Sequence, residues 1–304
     1  MHENDKLEVV KLVLTSAIVL PNFLGNFLVC LVVLRNRFFQ TYINFLLVHL
    51  SVTDIFAGMF ALLEAVMDIT MEDKSFLHPI LCKIIFNQHF VYIGVNSSYS
   101  TIIFISVVRY LFIAKPFKSV KCRSTKNLKY VIPVIWAVSL LSLSPRIYAD
   151  FAMPGCSKLV VLPMTSKIGG GISIVFRGIL LPVTTLSYTY WKIKKALNAR
   201  QNIICNTTTS SRQQAALNSK KKTTRLLGFI IIAFVLCSVP HYCYAVARSI
   251  FSYHHLASHV YVDCLLFGIF IAGSSVNPFL YWFHCKRFRK AALWYLGNNR
   301  IAPQ

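Results

Sequence analysis

Seven apolar runs divide this chain from end to end, each near the roughly 20 residues that a helix needs to cross about 30 Å of hydrocarbon. They cover residues 10–34, 42–67, 80–114, 128–148, 169–191, 226–250 and 260–283. Of the 304 residues 56% are hydrophobic and 14% charged, with a mean hydropathy of +0.57, too apolar for a soluble domain of this size. The expected fold is all-α membrane: a seven-transmembrane bundle over residues 10–283, a tail over 1–9, and a cytoplasmic end over 284–304. The first run is too long for a cleaved signal peptide and carries Gly25-Asn26 in its middle.

Charge sets the orientation. The formal net charge of +22 suggests nucleic acid, but the charges are segregated by side, not gathered into one patch. Arg35 and Arg37 follow run one, and Lys115, Lys118, Lys121, Arg123 and Lys126 follow run three. Lys192, Lys194, Lys195, Arg200, Lys220, Lys221, Lys222 and Arg225 lie between runs five and six, and Lys286, Arg287, Arg289 and Lys290 follow run seven. These segments are expected to be cytoplasmic and the amino terminus extracellular, in a multi-pass protein of the plasma membrane. Glu3, Asp5, Glu8, Asp68, Glu72, Asp73, Asp150 and Asp263 fall on outer segments or span tops, leaving Asp54 and Glu64 inside a span. A basic face without acids attracts anionic inner-leaflet lipid, at about 1 kcal/mol per nearby Lys or Arg, or an acidic protein; no nucleic-acid partner is expected.

Within the spans, Arg109 ends a long apolar helix expected over residues 82–114. An arginine there must reach water or find polar partners. Asp54 follows Leu50-Ser51-Val52-Thr53, and a carboxylate in hydrocarbon needs a cation, a proton or several donors. Pro182, Pro240 and Pro278 stand one in each of spans five, six and seven, where each frees a carbonyl and creates a point of bending.

Asn26, Asp54, Arg109-Tyr110, Pro116-Phe117, Trp136, Pro182 with Tyr190, Phe234, Cys237 and Pro240, Asn277-Pro278 with Tyr281, and Phe288 follow one another through the chain. In that order it resembles a rhodopsin-like (class A) G-protein-coupled receptor over almost its whole length, with a short amphipathic eighth helix at Lys286 to Lys290. The resemblance implies coupling to a heterotrimeric G protein. Arg109 and Tyr110 would form the switch, Phe117 the plug inserted into the G protein, and Tyr190 and Tyr281 the pair that holds the open state. It implies a polar core of Asn26, Asp54, Ser98, Ser274 and Asn277 able to take a sodium ion, and no other cofactor; a hard cation and oxygen donors suit one another on independent chemical grounds. It also implies a disulfide between Cys82 and Cys156, both on the oxidising side.

Three departures stand out against the family. Val108 replaces the acid before the switch arginine, and Lys220-Lys221-Lys222 replaces the acid at the base of span six. The expectation is a weak resting latch and raised basal signalling; the competing expectation is a receptor that couples poorly. Ser238 replaces the tryptophan at the floor of the ligand pocket, so activation would run through Phe234, His241 or Tyr242. Cys82 stands 27 residues before Arg109, two more than the family spacing, which demands a bulge or a differently tilted helix start.

Val91 and Ile271 stand where amine receptors keep an aspartate and opsins a lysine, which disfavours both. Glu64, Tyr92, Asn96, Arg177, His241, Tyr242, Asp263 and Phe267 are the expected ligand-pocket residues, with Glu64 and Arg177 facing the cavity or satisfying backbone or each other. Small peptide, lipid and nucleoside-like ligands remain open. Cys243 with Cys264 is a second candidate bridge, with free cysteines the alternative. Asn206-Thr207-Thr208 and Asn96-Ser97-Ser98 match the glycosylation pattern in a cytoplasmic loop and a span, out of the enzyme's reach. The sequence shows no phosphate loop, no metal-spaced Cys/His cluster and no Ser/His/Asp arrangement, so no enzyme is expected. The alternative function is a same-fold decoy, scavenger or partner receptor that does not signal.

Overall fold

The computed structural model describes residues 3–70, 83–84, 88–115, 124–151, 164–205, 211–251 and 257–297. The helices are α1 (Glu3–Arg35), α2 (Tyr42–Thr70), α3 (His89–Ala114), α4 (Leu128–Phe151), α5 (Met164–Ile174), α6 (Leu181–Cys205), α7 (Ser211–Phe251), α8 (Ala257–His284) and the short amphipathic α9 (Lys286–Tyr295). Spans one to four are α1 to α4. Span five is α5 and α6 joined by a π-helical segment, Val175–Leu180, and spans six and seven are α7 and α8. Among the described residues, seven helices are long and apolar enough to cross a membrane, and leucines such as Leu24, Leu141 and Leu236 point outward at 65–71% exposure. A lipid-facing coat of this kind, with backbone groups satisfied inside each helix, is what a multi-pass membrane protein requires.

Hydropathy found the spans but not the helix ends. Span six runs 41 residues, about 60 Å, because the stretch before Leu226 is rich in Ala, Gln and Lys, which favour helix in water as well as in lipid. Leu217 on that extension is buried against Ile193, Leu197 and Leu227.

The largest correction concerns span three. The helix expected over residues 82–114 begins at His89, and Gln88 before it sits at φ 60°, a left-handed backbone that stops a continuous helix. The Gln88 side chain donates to Glu64 Oε1 at 3.0 Å, which anchors the break to span two. Apolarity alone cannot register such a break. Cys82, Cys156 and Phe117 lie outside the described residues, and so does the expected disulfide. Cys243 and Cys264 are both free thiols.

Inside the bundle, apolar clusters lie on either side of a polar middle. One gathers Val29, Val32, Leu50, Ile102, Leu226, Ile230 and Tyr281 with Phe288 of α9; the other gathers Ala57, Val91, Tyr92, Tyr242, Phe267 and Phe270. Gly25 lets span one reach span seven at the polar level. A Cβ there would meet the Pro278 ring at 2.8 Å, closer than real Cβ atoms come.

Candidate functional site

Asp54 is fully buried in span two, and its carboxylate is divided between two neighbours. Ser98 Oγ of span three donates to Oδ1 at 2.7 Å, and Asn277 Nδ2 of span seven donates to Oδ2 at 2.9 Å. Ser274 of span seven is buried at the same level. Span one closes the site through an asparagine that the sequence reading missed. Asn22 Nδ2 donates to the Asp54 carbonyl at 3.0 Å, and Asn26, one turn on, donates to Asn22 Oδ1 at 2.6 Å and to the Ser274 carbonyl at 3.4 Å. Asn26 Oδ1 is buried with no hydrogen-bond partner. The Asp54 carboxylate is thus satisfied by one hydroxyl and one amide N–H, in a polar layer that joins spans one, two, three and seven.

Next to Ser98 on span three, Tyr99 takes up the space that the small Ser238 leaves. Its hydroxyl lies 2.5 Å from Ser238 Oγ, and its ring packs edge-on against Phe234, with centroids 4.7 Å apart, and against Phe270 at 6.3 Å. A large ring still occupies the floor of the upper cluster, but it arrives from span three. Above it His241 stacks on Phe270 at 4.5 Å and meets the Tyr92 hydroxyl with Nε2 at 3.0 Å. Phe267 lies 5.9 Å from the His241 ring, and Tyr242 turns toward Phe270 at 5.4 Å.

At the other end, Arg109 is half-buried and reaches across to span six, where a guanidinium N–H donates to the Thr223 carbonyl at 2.9 Å. A narrow apolar gap lined by Leu47, Leu50, Ile102, Ile230 and Tyr281 opens beside it. Val108 is 4% exposed and packs among Tyr42, Leu46, Ile105 and Leu128, facing away from span six. Tyr281 is buried with its ring edge-on to Phe288 at 6.4 Å and its hydroxyl unpartnered. Tyr190 covers Gly228 of span six, where a Cβ would stand 3.2 Å from the ring. Spans three and five are joined midway by a hydrogen bond between the Ser106 and Thr189 hydroxyls.

The family model of the 7 transmembrane receptor (rhodopsin family) matches residues 25–281. The chain belongs to that family. It is similar to the Allatostatin-A receptor of Bombyx mori, 25% identical over 275 residues, which cover 88% of this chain and 74% of the relative. It is also similar to the Galanin receptor 2a of Danio rerio, 27% identical over 283 residues covering 90% and 74%, and to the Tachykinin-like peptides receptor 86C of Drosophila melanogaster, 25% identical over 284 residues covering 87% and 54%. The family implies a ligand and coupling to G proteins, and its members are receptors rather than enzymes.

In this receptor the expected core residues Asn26, Asp54, Ser98, Ser274 and Asn277 come together, and so do Tyr92, His241, Tyr242 and Phe267. Of the remaining residues expected around the ligand, Glu64, Asn96 and Asp263 do not join that group, and Arg177 stands at its edge, next to Gly178, on which the Tyr242 ring packs. Glu64 is turned toward span one, with Lys11 Nζ 2.9 Å from Oε1, and the same lysine lies 2.6 Å from Asp68 Oδ2. Asp68, expected at a span top, is therefore buried in the bundle. Asp263 pairs with Arg248 at 2.8 Å where both are exposed. Asn96 is half-buried one turn below Tyr92, and Arg177 bonds its own helix at Ser173. Tyr110, next to Arg109, packs instead with Ile113 and Ile193.

Sequence reasoning also missed Arg146 and His89. The Arg146 guanidinium sits 4.2 Å above the Tyr92 ring, and His89 Nε2 lies 3.3 Å from Asp150 Oδ2. The usable signal was the acid count: Asp150 closes span four, four residues after Arg146, an i,i+4 pair.

Proposed function

We propose that the receptor carries the signal of a small extracellular peptide to heterotrimeric G proteins at its Arg109 end, with a resting state that leaks. The orientation rests on the basic segments, which place that end in the cytoplasm and the amino terminus outside the plasma membrane. Relatives named for peptide ligands support a peptide over the lipid and nucleoside-like alternatives. Arg109, Tyr110, Tyr190 and Tyr281 form the coupling end, and Phe117 completes it.

The observation that carries the reading is the acceptor chosen by Arg109. It bonds a neutral carbonyl of span six, at a level where the sequence offers Lys220-Lys221-Lys222 and no acid. A neutral hydrogen bond contributes about 0.5–1.5 kcal/mol and one between charged groups about 1.5–3. The missing charge lowers the closed state's advantage by roughly 1 kcal/mol, a population change of about fivefold. The donors around Asp54 support a sodium ion held by Asp54, Ser98, Ser274 and Asn277, whose effect would be to draw spans two, three and seven together.

The test is basal nucleotide exchange on a panel of G proteins in membranes holding the wild type or Arg109→Ala, without ligand. Exchange in the wild type that disappears in Arg109→Ala supports the reading. No exchange in the wild type on any G protein would favour the non-signalling alternative.

A further inference from the structure

In the half of the bundle opposite Arg109, ion pairs join most of the buried charges. Among the described residues, Glu64 and Asp68 share Lys11, Asp150 faces His89 and Arg146, and Asp263 faces Arg248. Arg177, on the π-helical segment of span five, lies within ion-pair distance of none of these carboxylates. Its guanidinium turns back on its own helix, to the Ser173 hydroxyl and, through Nε, to the Ser173 carbonyl at 3.3 Å. No aspartate or glutamate occurs anywhere between Asp150 and Asp263, so neither span five nor span six, nor any segment joining them, can supply a counter-charge. A half-buried cation at membrane depth without a counter-ion is costly and is seldom retained without a use.

A second observation stands beside it. Tyr242 of span six packs over Gly178, the residue after Arg177; a Cβ on Gly178 would meet the ring carbons at 3.0 Å. Tyr242 is 7% exposed, and its hydroxyl is buried with no hydrogen-bond partner. Arg146 and Arg177, both cations, lie near enough to act electrostatically on that hydroxyl, and so does Tyr92. A buried hydroxyl left unbonded costs about 1–3 kcal/mol, and an acceptor placed between it and the guanidinium would remove both penalties at once. The π-helical turn assists by widening the helix where Arg177 leaves it, a distortion that recurs at functional sites.

We propose that Arg177 and the Tyr242 hydroxyl form the subsite for a carboxylate group of the receptor's ligand. The inference rests on the receptor reading and specifies the ligand's chemistry. The carboxylate can come from a peptide terminus or acidic side chain, or from a fatty acid. Arg177 supplies charge-assisted donors and Tyr242 one neutral donor, so the guanidinium carries most of the selectivity.

The experiment uses the full-length receptor in lipid nanodiscs and follows thermal unfolding with millimolar N-acetylphenylalanine, its uncharged carboxamide, or decanoate. The wild type is expected to be stabilised by a carboxylate probe and not by the carboxamide. A response to N-acetylphenylalanine assigns the group to a peptide, and a response to decanoate assigns it to a fatty acid. Arg177→Gln is expected to weaken the response about tenfold or more, Arg177→Lys to keep the preference for carboxylate over carboxamide, and Tyr242→Phe to weaken it about threefold to fivefold. Without probe, Arg177→Gln should unfold at or above the wild-type temperature, because a charge without a partner has been removed.

Equal stabilisation by the carboxamide overturns the proposal. So does no carboxylate response in the wild type, an undiminished response in Arg177→Gln, or a large loss of stability in that variant without probe. Basal nucleotide exchange does not depend on any probe, so a failure here and a failure of the receptor reading are separately visible.

Discussion

The two ends of the bundle are held by different physics. At the end carrying Lys11, ion pairs cross between helices: Lys11 of span one to Glu64 and Asp68 of span two, His89 of span three to Asp150 of span four, and Arg248 of span six to Asp263 of span seven. At the end carrying Arg109, spans three and six meet through one hydrogen bond to a neutral carbonyl and through apolar packing. Every carboxylate paired across helices lies at the first end, and the sequence places none at the second. A partly buried ion pair resists separation because each partner would be left uncompensated. Apolar side chains and a carbonyl can exchange partners at little cost. The first end is built to stay and the second to open.

Breaking the first end should have the largest effect. Lys11→Met leaves two buried carboxylates facing one another and is expected to lower unfolding stability by about 3–5 kcal/mol, read as a fall in the melting temperature of the purified receptor. Adding Glu64→Gln and Asp68→Asn should recover most of it. Failure to recover would mean that Lys11 contributes through packing rather than charge.

The polar middle comes next. Asp54→Asn replaces the one carboxylate in the donor set, so sodium should no longer raise the melting temperature above its value in an equal concentration of choline. If sodium still stabilises that variant, the ion sits elsewhere.

The aromatic floor should respond less. Tyr99→Phe and Ser238→Ala each remove one half of a hydroxyl pair and should each cost about 0.5–1.5 kcal/mol. The double variant should lose little more than either single one, the signature of a direct interaction in a double-mutant cycle. Additive losses would show that Tyr99 acts through its ring alone.

How much of this could be read from the sequence depended on the kind of signal. The spans follow from apolar runs, a property of the chain that does not depend on what folds against it. The Asp54 core was legible because Asp54, Ser98 and Asn277 occupy family positions. Asn22 was not, because its role appears only when span one lies against span two. Lys11 belongs to no local pattern; its importance comes from two acids more than fifty residues away. The loss of a large ring at Ser238 was visible, but its replacement was not. Tyr99 comes from another helix, and no local pattern links positions 139 residues apart. The break at Gln88 was hidden because an apolar stretch reads the same whether or not its backbone turns left-handed within it.

The smallest expected effect tests the central claim most directly. Lys220 lies one turn before Thr223 on span six, and Lys220→Glu would offer Arg109 a charged partner at the end that has none. Substitution at Val108 is a poorer choice, since Val108 is enclosed by Tyr42, Leu46 and Leu128. A partly exposed pair of this kind stabilises the closed state by about 0.2–1 kcal/mol. The measurement is ligand-free nucleotide exchange for the wild type and Lys220→Glu at matched surface expression. The expected result is a basal rate that falls in the variant, by up to about fivefold. A basal rate unchanged or raised in Lys220→Glu, with Arg109→Ala still abolishing it, would show that the resting state does not depend on the partner of Arg109 and would contradict the account.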